Sequence, residues 1–370
     1  MTNKRRAEAI WLKSKSYWQV KVQRDGERRA FTSSVKGRKG KHEAEAKADE
    51  WLENQTEQIR FPSAWESFMQ VQRERTGTAN ILKLEQVNRL YIAPKIGEKK
   101  LSSITPILWQ SCIDSAAQNG LSERTCINIR AVINEFVSFA LRARWSIQRL
   151  EKGDLVIPKN ASAKKEKIVL QPDEIRELFT DSTYPRYSGR IEAHYAYAWR
   201  FLVVTGLRRG ELCGLRVEDI DGRILTIKRS INSENEITEG KNKNARRTIE
   251  LTDIALKVLA DQRAMLQRKN LLSPWVFCDA FGERPNPNTV YDQWNTYRKH
   301  HGIRSSLHEL RHTFISVNKS DLPLELMKSV VGHSESMNTY GVYGHEIEGD
   351  RHRAATIIDG VFREILHDSE

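Results

Sequence analysis

Cysteine is scarce in this chain of 370 residues, and the four it has, Cys112, Cys126, Cys213 and Cys278, make no Cys-x-x-Cys pair and have no histidine at ligand spacing. Neither a structural metal site nor a disulfide framework is therefore expected, and a reducing compartment suits the chain. Long apolar runs are also missing. No stretch reaches the length of a membrane span, and the opening Met-Thr-Asn-Lys-Arg-Arg is not followed by an apolar signal region, so a cytoplasmic protein is expected. There is no internal repeat and no long low-complexity run. Acidic residues are in deficit, with 48 Asp and Glu against 60 Lys and Arg. Most of that +12 sits in residues 1–42, which hold thirteen Lys or Arg and three acids, giving a local surface suited to a polyanion.

What is present divides into two or three domains on length alone, and three are favoured. Residues 16–23 alternate into Asp25-Gly26 and then residues 28–32, the pattern of a hairpin. The Ala/Glu/Lys-rich run from His42 to Ile59 then spaces Ala44, Ala48, Trp51 and Leu52 for one helical face. Trp11, Tyr17, Trp18 and Phe31 are assigned to the core of this small unit. From Phe61 to about Leu150 the pattern is helical: Trp65, Phe68 and Val71, then Ile81, Leu84, Val87 and Leu90, then 107–117 and 125–143, punctuated by prolines and glycines. Residues 151–167 lack periodicity and read as an exposed linker. Beyond them Pro172 opens a helix, 193–205 make a long apolar helix stopped by Gly206, and 223–229 and 246–251 alternate as short strands. Lys241 falls in or beside the connection between those strands. Ser306-Leu-His-Glu309 has the capping-box pattern for a helix burying Leu307, Leu310, Phe314 and Val317. A further helix over 323–331 stops at Gly332.

The residues that carry chemistry lie in the C-terminal half: Arg208 in TGLRRGEL, Lys241, His308 and Arg311 in LHELRHTF, His333 after Gly332, and Tyr343 ten residues later. Cutting a phosphodiester requires neutralising charge on the pentacoordinate phosphorus, attacking it, and protonating the departing oxygen. Arg208 and Arg311 offer planar forks for non-bridging phosphate oxygens. Tyr343 can attack once its phenol, with a reference pKa of about 10, is activated. Lys241 suits proton donation to a leaving 5′ oxygen, with Lys243 as its rival. His308 suits acid–base work, and His333 phosphate hydrogen bonding. Each residue alone has an ordinary explanation: Arg208 paired with Glu211 on a surface, Lys241 in a solvated charge run, Tyr343 as a packing aromatic. Their conjunction in this order does not.

That order, in the settings TGLRRGEL, EGKNKNARRTIEL, LHELRHTF and VVGHSESMNTYGVYGH, closely resembles the tyrosine recombinases, specifically integrases of phages and conjugative transposons. The resemblance implies a multidomain, mainly α protein with small β elements. An arm-type DNA-binding domain (1–58) with a β-hairpin or three-stranded sheet plus helix would be followed by a helical core-binding domain (59–155) containing the Ile96–Pro106 motif. A linker (156–168) would lead to a mixed α/β catalytic domain with a tail helix (169–370). Val156-Ile-Pro-Lys-Asn160 stands where the family usually has Asn-Pro. The resemblance makes Tyr343, rather than Tyr340, the nucleophile of a 3′-phosphotyrosine intermediate. Arg208, Lys241, His308, Arg311 and His333 would be its catalytic partners, and Glu211 would support the first arginine. No metal or cofactor is implied. The implied partners are double-stranded core and arm sites, three further copies in a tetramer on a Holliday junction, and in addition an excisionase and a host DNA-bending protein. A bacterial cytoplasm, at the nucleoid, is the implied location.

In the basic N-terminal region, Arg5, Arg6, Lys21, Arg28, Arg29, Lys36, Arg38 and Lys39 are the candidate DNA contacts, through a sheet entering the major groove. The helix from about Arg353 to Leu366 would dock on a neighbouring subunit. The competing functions are a noncatalytic DNA-binding protein of the same fold and a related type IB-like topoisomerase.

Overall fold

The structure is a computed structural model that describes residues 8–24, 27–57, 59–163, 167–186, 189–238, 246–332 and 349–367. The chain forms two compact units, Met1–Lys164 and Lys165–Glu370.

In the first unit, β1 (Ile10–Leu12), β2 (Tyr17–Arg24) and β3 (Glu27–Ser33) form an antiparallel sheet in that order, followed by α1 (Arg38–Glu57). The expected Asp25-Gly26 turn lies outside the described residues. Val20 is buried with Ala9, Ala44 and Ala48, and Trp18, Val22 and Phe31 pack against them. Register then sorts the basic residues, because successive side chains of a strand face opposite ways. Lys21 pairs with Ala30 and Arg28 with Gln23 on the face away from α1, whereas Arg29 pairs with Val22. Arg29 accordingly lies on the core side, its guanidinium 5.4 Å from the ring centre of Trp51. Lys36, Arg38 and Lys39 are exposed at the start of α1, and Arg5 and Arg6 lie outside the described residues.

The helices α2 (Phe61–Arg75), α3 (Thr78–Val87), α4 (Ala93–Ile96), α5 (Pro106–Gln118) and α6 (Glu123–Arg142) share a second core. Phe136 is central to it, with ring centroids of Phe61, Trp65, Phe68 and Trp109 between 5.2 and 6.0 Å away. Leu90 departs from the expected stripe. A π turn at Asn88–Ile92 adds a residue to the period, so Ile92 is buried at 0% exposure while Leu90 stands out at 44%. The Ile96–Pro106 motif is structural: Ile96, Leu101 and Ile104 are buried, and the Thr105 hydroxyl accepts from the Leu108 amide to cap α5.

The end of the unit, 151–163, is largely exposed yet tied to the helices. Leu155 is buried among the helices, the Gln110 amide clasps both backbone groups of Val156 (2.9 and 3.0 Å), and Ser162 bonds Leu121 and Glu123 through its backbone. The segment has no periodicity because it is held by backbone pairing to side chains and loops, which leaves no repeating apolar pattern.

The second unit is built on α8 (Ala196–Thr205), whose residues are all buried except the partly buried Tyr197. Before it come α7 (Pro172–Thr180), opened by the Gln171/Glu174 capping box, and the hairpin β4 (Thr183–Arg186) with β5 (Gly189–Glu192). After it come α9 (Arg209–Cys213), β6 (Ile220–Asp221), β7 (Ile224–Ile227), β8 (Ser230–Ile231), β9 (Ile237–Thr238) and β10 (Arg247–Glu250). The antiparallel sheet runs β10-β7-β6, and β8 and β9 form a separate hairpin. Then follow α10 (Asp253–Arg268), α11 (Pro287–His300), α12 (Glu309–Asn318), α13 (Leu324–Val331) and α14 (Asp350–His367). Ser306 does not cap α12 through its hydroxyl; instead the Glu309 carboxylate accepts from the amides of Ser306 and Ile168.

The tail helix α14 buries Ala354, Ile358 and Phe362 in its own unit, with Phe362 stacked on Phe314. Asp359 accepts from the Ile254 amide at 3.1 Å, and Arg176 donates to the carbonyl of Ile365 at 2.9 Å. The spacing of four between those apolar residues makes a stripe that this unit's own core fills.

Candidate active site

Two helices in the second unit end on a glycine in the left-handed conformation: α8 at Gly206 (φ 64°) and α13 at Gly332 (φ 67°). A side chain would be strained at either position. At Gly206 a Cβ would also come within 2.5 Å of the Phe314 ring. These helix ends leave carbonyls without intrahelical partners, and arginines take them.

Arg311, on the first turn of α12, is only 4% exposed and donates to the carbonyls of Gly206 and Val331, both at 2.7 Å. Arg208 is the residue before α9 and donates to Gly332 at 3.0 Å. Arg247, on β10, donates through Nε to Val330 at 2.6 Å. Three consecutive carbonyls at the end of α13 thus each hold a different guanidinium.

Between Arg208 and Arg247 lies Glu211, with a side chain 3% exposed. Its Oε1 accepts from Arg208 Nη1 (2.7 Å) and Arg247 Nη1 (3.1 Å), and its Oε2 from the Arg208 amide and Arg247 Nη2, both at 2.9 Å. Burial alone would push the Glu211 carboxyl up, but the two arginines and the amide hold it below the ordinary glutamate range. Burial and the nearby Arg208 push the Arg311 guanidinium down to about 9, so it stays charged at neutral pH.

His308, the residue before α12, stands at the surface one turn from Arg311. Desolvation by the protein around its ring, then the charges of Arg311, Lys167 and Arg208, lower its pKa. Its ring meets that of His312 edge-on at 5.2 Å, and the Lys167 ammonium donates to His312 Nε2 at 2.8 Å. Lys241, His333 and Tyr343 lie outside the described residues.

The match to known proteins falls on this unit. Residues 168–348 fit the model of the phage integrase family, a segment that contains every one of the candidate catalytic positions. Along 94% of the chain and 97% of the relative, it is 24% identical to a XerC-like tyrosine recombinase of Caldanaerobacter subterraneus subsp. tengcongensis.

The chain belongs to the tyrosine recombinases.

It is therefore an enzyme that breaks and rejoins DNA through a tyrosine nucleophile. A shorter part of the recombinase, 38% of it, is 28% identical to the tyrosine recombinase XerA of Pyrococcus furiosus over 46% of that protein. Its fold is shared with the Tn1549 transposon integrase in complex with transposon right end DNA (TM-score 0.60, 19% identity, 79% of this chain and 97% of that one). The same holds for a lambda integrase tetramer bound to a Holliday junction (TM-score 0.60, 15% identity, 92% and 98%).

Among the sequence candidates described, the fold brings Arg208, Glu211, Arg311 and His308 into one site. Sequence reasoning does not single out Arg247, which follows closely on the charge run around Lys241. A signal existed: Arg247 is two residues from buried Ile249 on a strand, so both point to one face.

Proposed function

We propose that this recombinase integrates and excises a mobile genetic element, with Arg208 and Arg311 clamping the scissile phosphate and Tyr343 attacking it. The Tyr343 oxygen forms a bond to phosphorus as the bond from phosphorus to the 5′ oxygen breaks, leaving a 3′-phosphotyrosine. The phenolic proton passes to a base, for which His308 is suited by its lowered pKa. Lys241 protonates the leaving 5′ oxygen, and His333 donates a hydrogen bond to the phosphate. A partner strand's 5′ hydroxyl then reverses the attack, which completes strand exchange without a consumed high-energy cofactor. Four copies acting on two duplexes through a Holliday junction would cut two strands at a time, and residues 1–58 would hold arm sites. An excisionase and a host DNA-bending protein would set direction.

The observation that carries this reading is the convergence of Arg208, Arg247 and Arg311 around one carboxylate, Glu211, at the end of α13, one residue before His333. Two arginines in excess of the acid make a fixed cationic site for a phosphate. Its test is trapping on a denaturing gel with a nicked duplex bearing the element's own end, without added metal, for wild type, Tyr343→Phe and Tyr340→Phe. A covalent band lost only in Tyr343→Phe is expected. Site-specific binding with no band for wild type would sink the assignment of cleavage.

A further inference from the structure

Arg247 has no reactive role above, yet its guanidinium makes three hydrogen bonds, where those of Arg208 and Arg311 make two each. We propose that Arg247 is a positioning residue for strand cleavage, setting Arg208 through Glu211 and setting the end of α13 through Val330. The proposal rests on the reading of Arg208 as a phosphate ligand.

The geometry explains why one residue does both. Each Glu211 oxygen is shared between one donor of Arg208 and one of Arg247, so the carboxylate is held from two sides and cannot rotate. Without Arg247, two of those four donors vanish and a buried carboxylate keeps only the half-exposed Arg208 to balance it. The Arg208 side chain would then follow Glu211 away from its present position. Meanwhile Nε of Arg247 holds Val330, the first of the three carbonyls bound by guanidiniums and three residues before His333. A lysine in this place keeps the charge but has no planar fork to span two carboxylate oxygens and a carbonyl at once.

The experiment is single-turnover cleavage of a nicked duplex by the full chain, with the rate constant fitted separately from the amplitude. An unfolded fraction lowers the amplitude alone. Four proteins complete a cycle: wild type, Arg247→Lys, Arg208→Lys and the double variant. Misplacement of a catalytic group by an ångström costs about 100-fold, and a slowing of that order is expected for Arg247→Lys with duplex affinity little changed. The double variant should be no slower than Arg208→Lys, because the two act as one unit.

Losses that multiply in the double variant, or an Arg247→Lys rate equal to wild type, would overturn the proposal. Wild-type cleavage by Arg208→Lys would instead remove the phosphate-clamp reading itself. If Arg247→Lys does not fold, Arg247→Gln carries the same cycle, since its amide can still donate to Val330 but cannot make the two-fold pairing with Glu211.

Discussion

Glu211 and Asp219 begin as the same local device and end with different uses. Each is an acid three residues after an arginine whose amide it accepts at 2.9 Å, Arg208 for Glu211 and Arg216 for Asp219. Each is buried, with side chains 3% and 1% exposed, and each gathers two cations, Arg208 and Arg247 in one case and Arg229 and Lys228 in the other. Burial would raise both carboxyls, and both are held below their ordinary range by the donors around them.

The difference lies in what the cations do next. Around Asp219 they stay with partners close in the chain: Arg229 reaches Gly214 and Glu218, and Lys228 pairs with Asp219 itself. Around Glu211 they reach across the fold to the end of α13, beside the further guanidinium of Arg311. A knot of three cations facing two acids fastens a fold, whereas one of three facing one acid beside helix-end carbonyls is prepared for an anion.

That contrast can be broken most directly at the arginines. Arg311→Lys should slow single-turnover cleavage by about 100- to 1,000-fold, the cost of losing an electrostatic donor at a reacting oxygen, while duplex affinity changes little. Arg229→Lys should leave the cleavage rate constant at wild type. Equal slowing in the two would erase the distinction drawn between the knots.

Neutralising each acid is the next test. Glu211→Gln and Asp219→Asn should each destabilise the catalytic unit by about 3–5 kcal/mol in denaturant titrations, since each strands one cation held largely inside the fold, Arg247 or Arg229. Only Glu211→Gln should also lower the cleavage rate constant of the folded protein. An Asp219→Asn protein that melts like wild type would show that this second knot fastens nothing.

Acid should act on both knots alike. A carboxyl whose folded pKa is lowered contributes stability that is present above its unfolded value, about 3.9 for Asp and 4.3 for Glu, and is lost as pH falls through the folded value. Thermal melts should therefore drop below about pH 4, and the Glu211→Gln/Asp219→Asn protein should show a shallower drop there. An unchanged slope would place the acid sensitivity elsewhere. The smallest effect belongs to Lys228→Met: its ammonium is about half exposed, so the loss should stay within about 1 kcal/mol by the same titration.

The amino-acid sequence carried the local half of this comparison. Arg208-x-x-Glu211, the glycine stops at 206 and 332, the Thr105-Pro106 start of α5 and the paired strands 224–227 and 247–250 are set by φ preferences, capping and alternation within a few residues, all of which are readable along the chain. Family pattern added the order of reactive residues. The bulge at Asn88–Ile92 and the docking of 155–162 were not legible, because a π turn and a Gln110 clasp leave no periodic trace.

The same limit separates the two knots. The pairing of Arg247 with Glu211 spans 36 residues and that of Arg208 with Gly332 spans 124. Contacts over such separations depend on which helix ends the tertiary fold brings together. Side-chain chemistry within a turn made both acids into anchors; only the packing of α8, α9, α12 and α13 against β10 decided which of them would hold arginines around a site for phosphate.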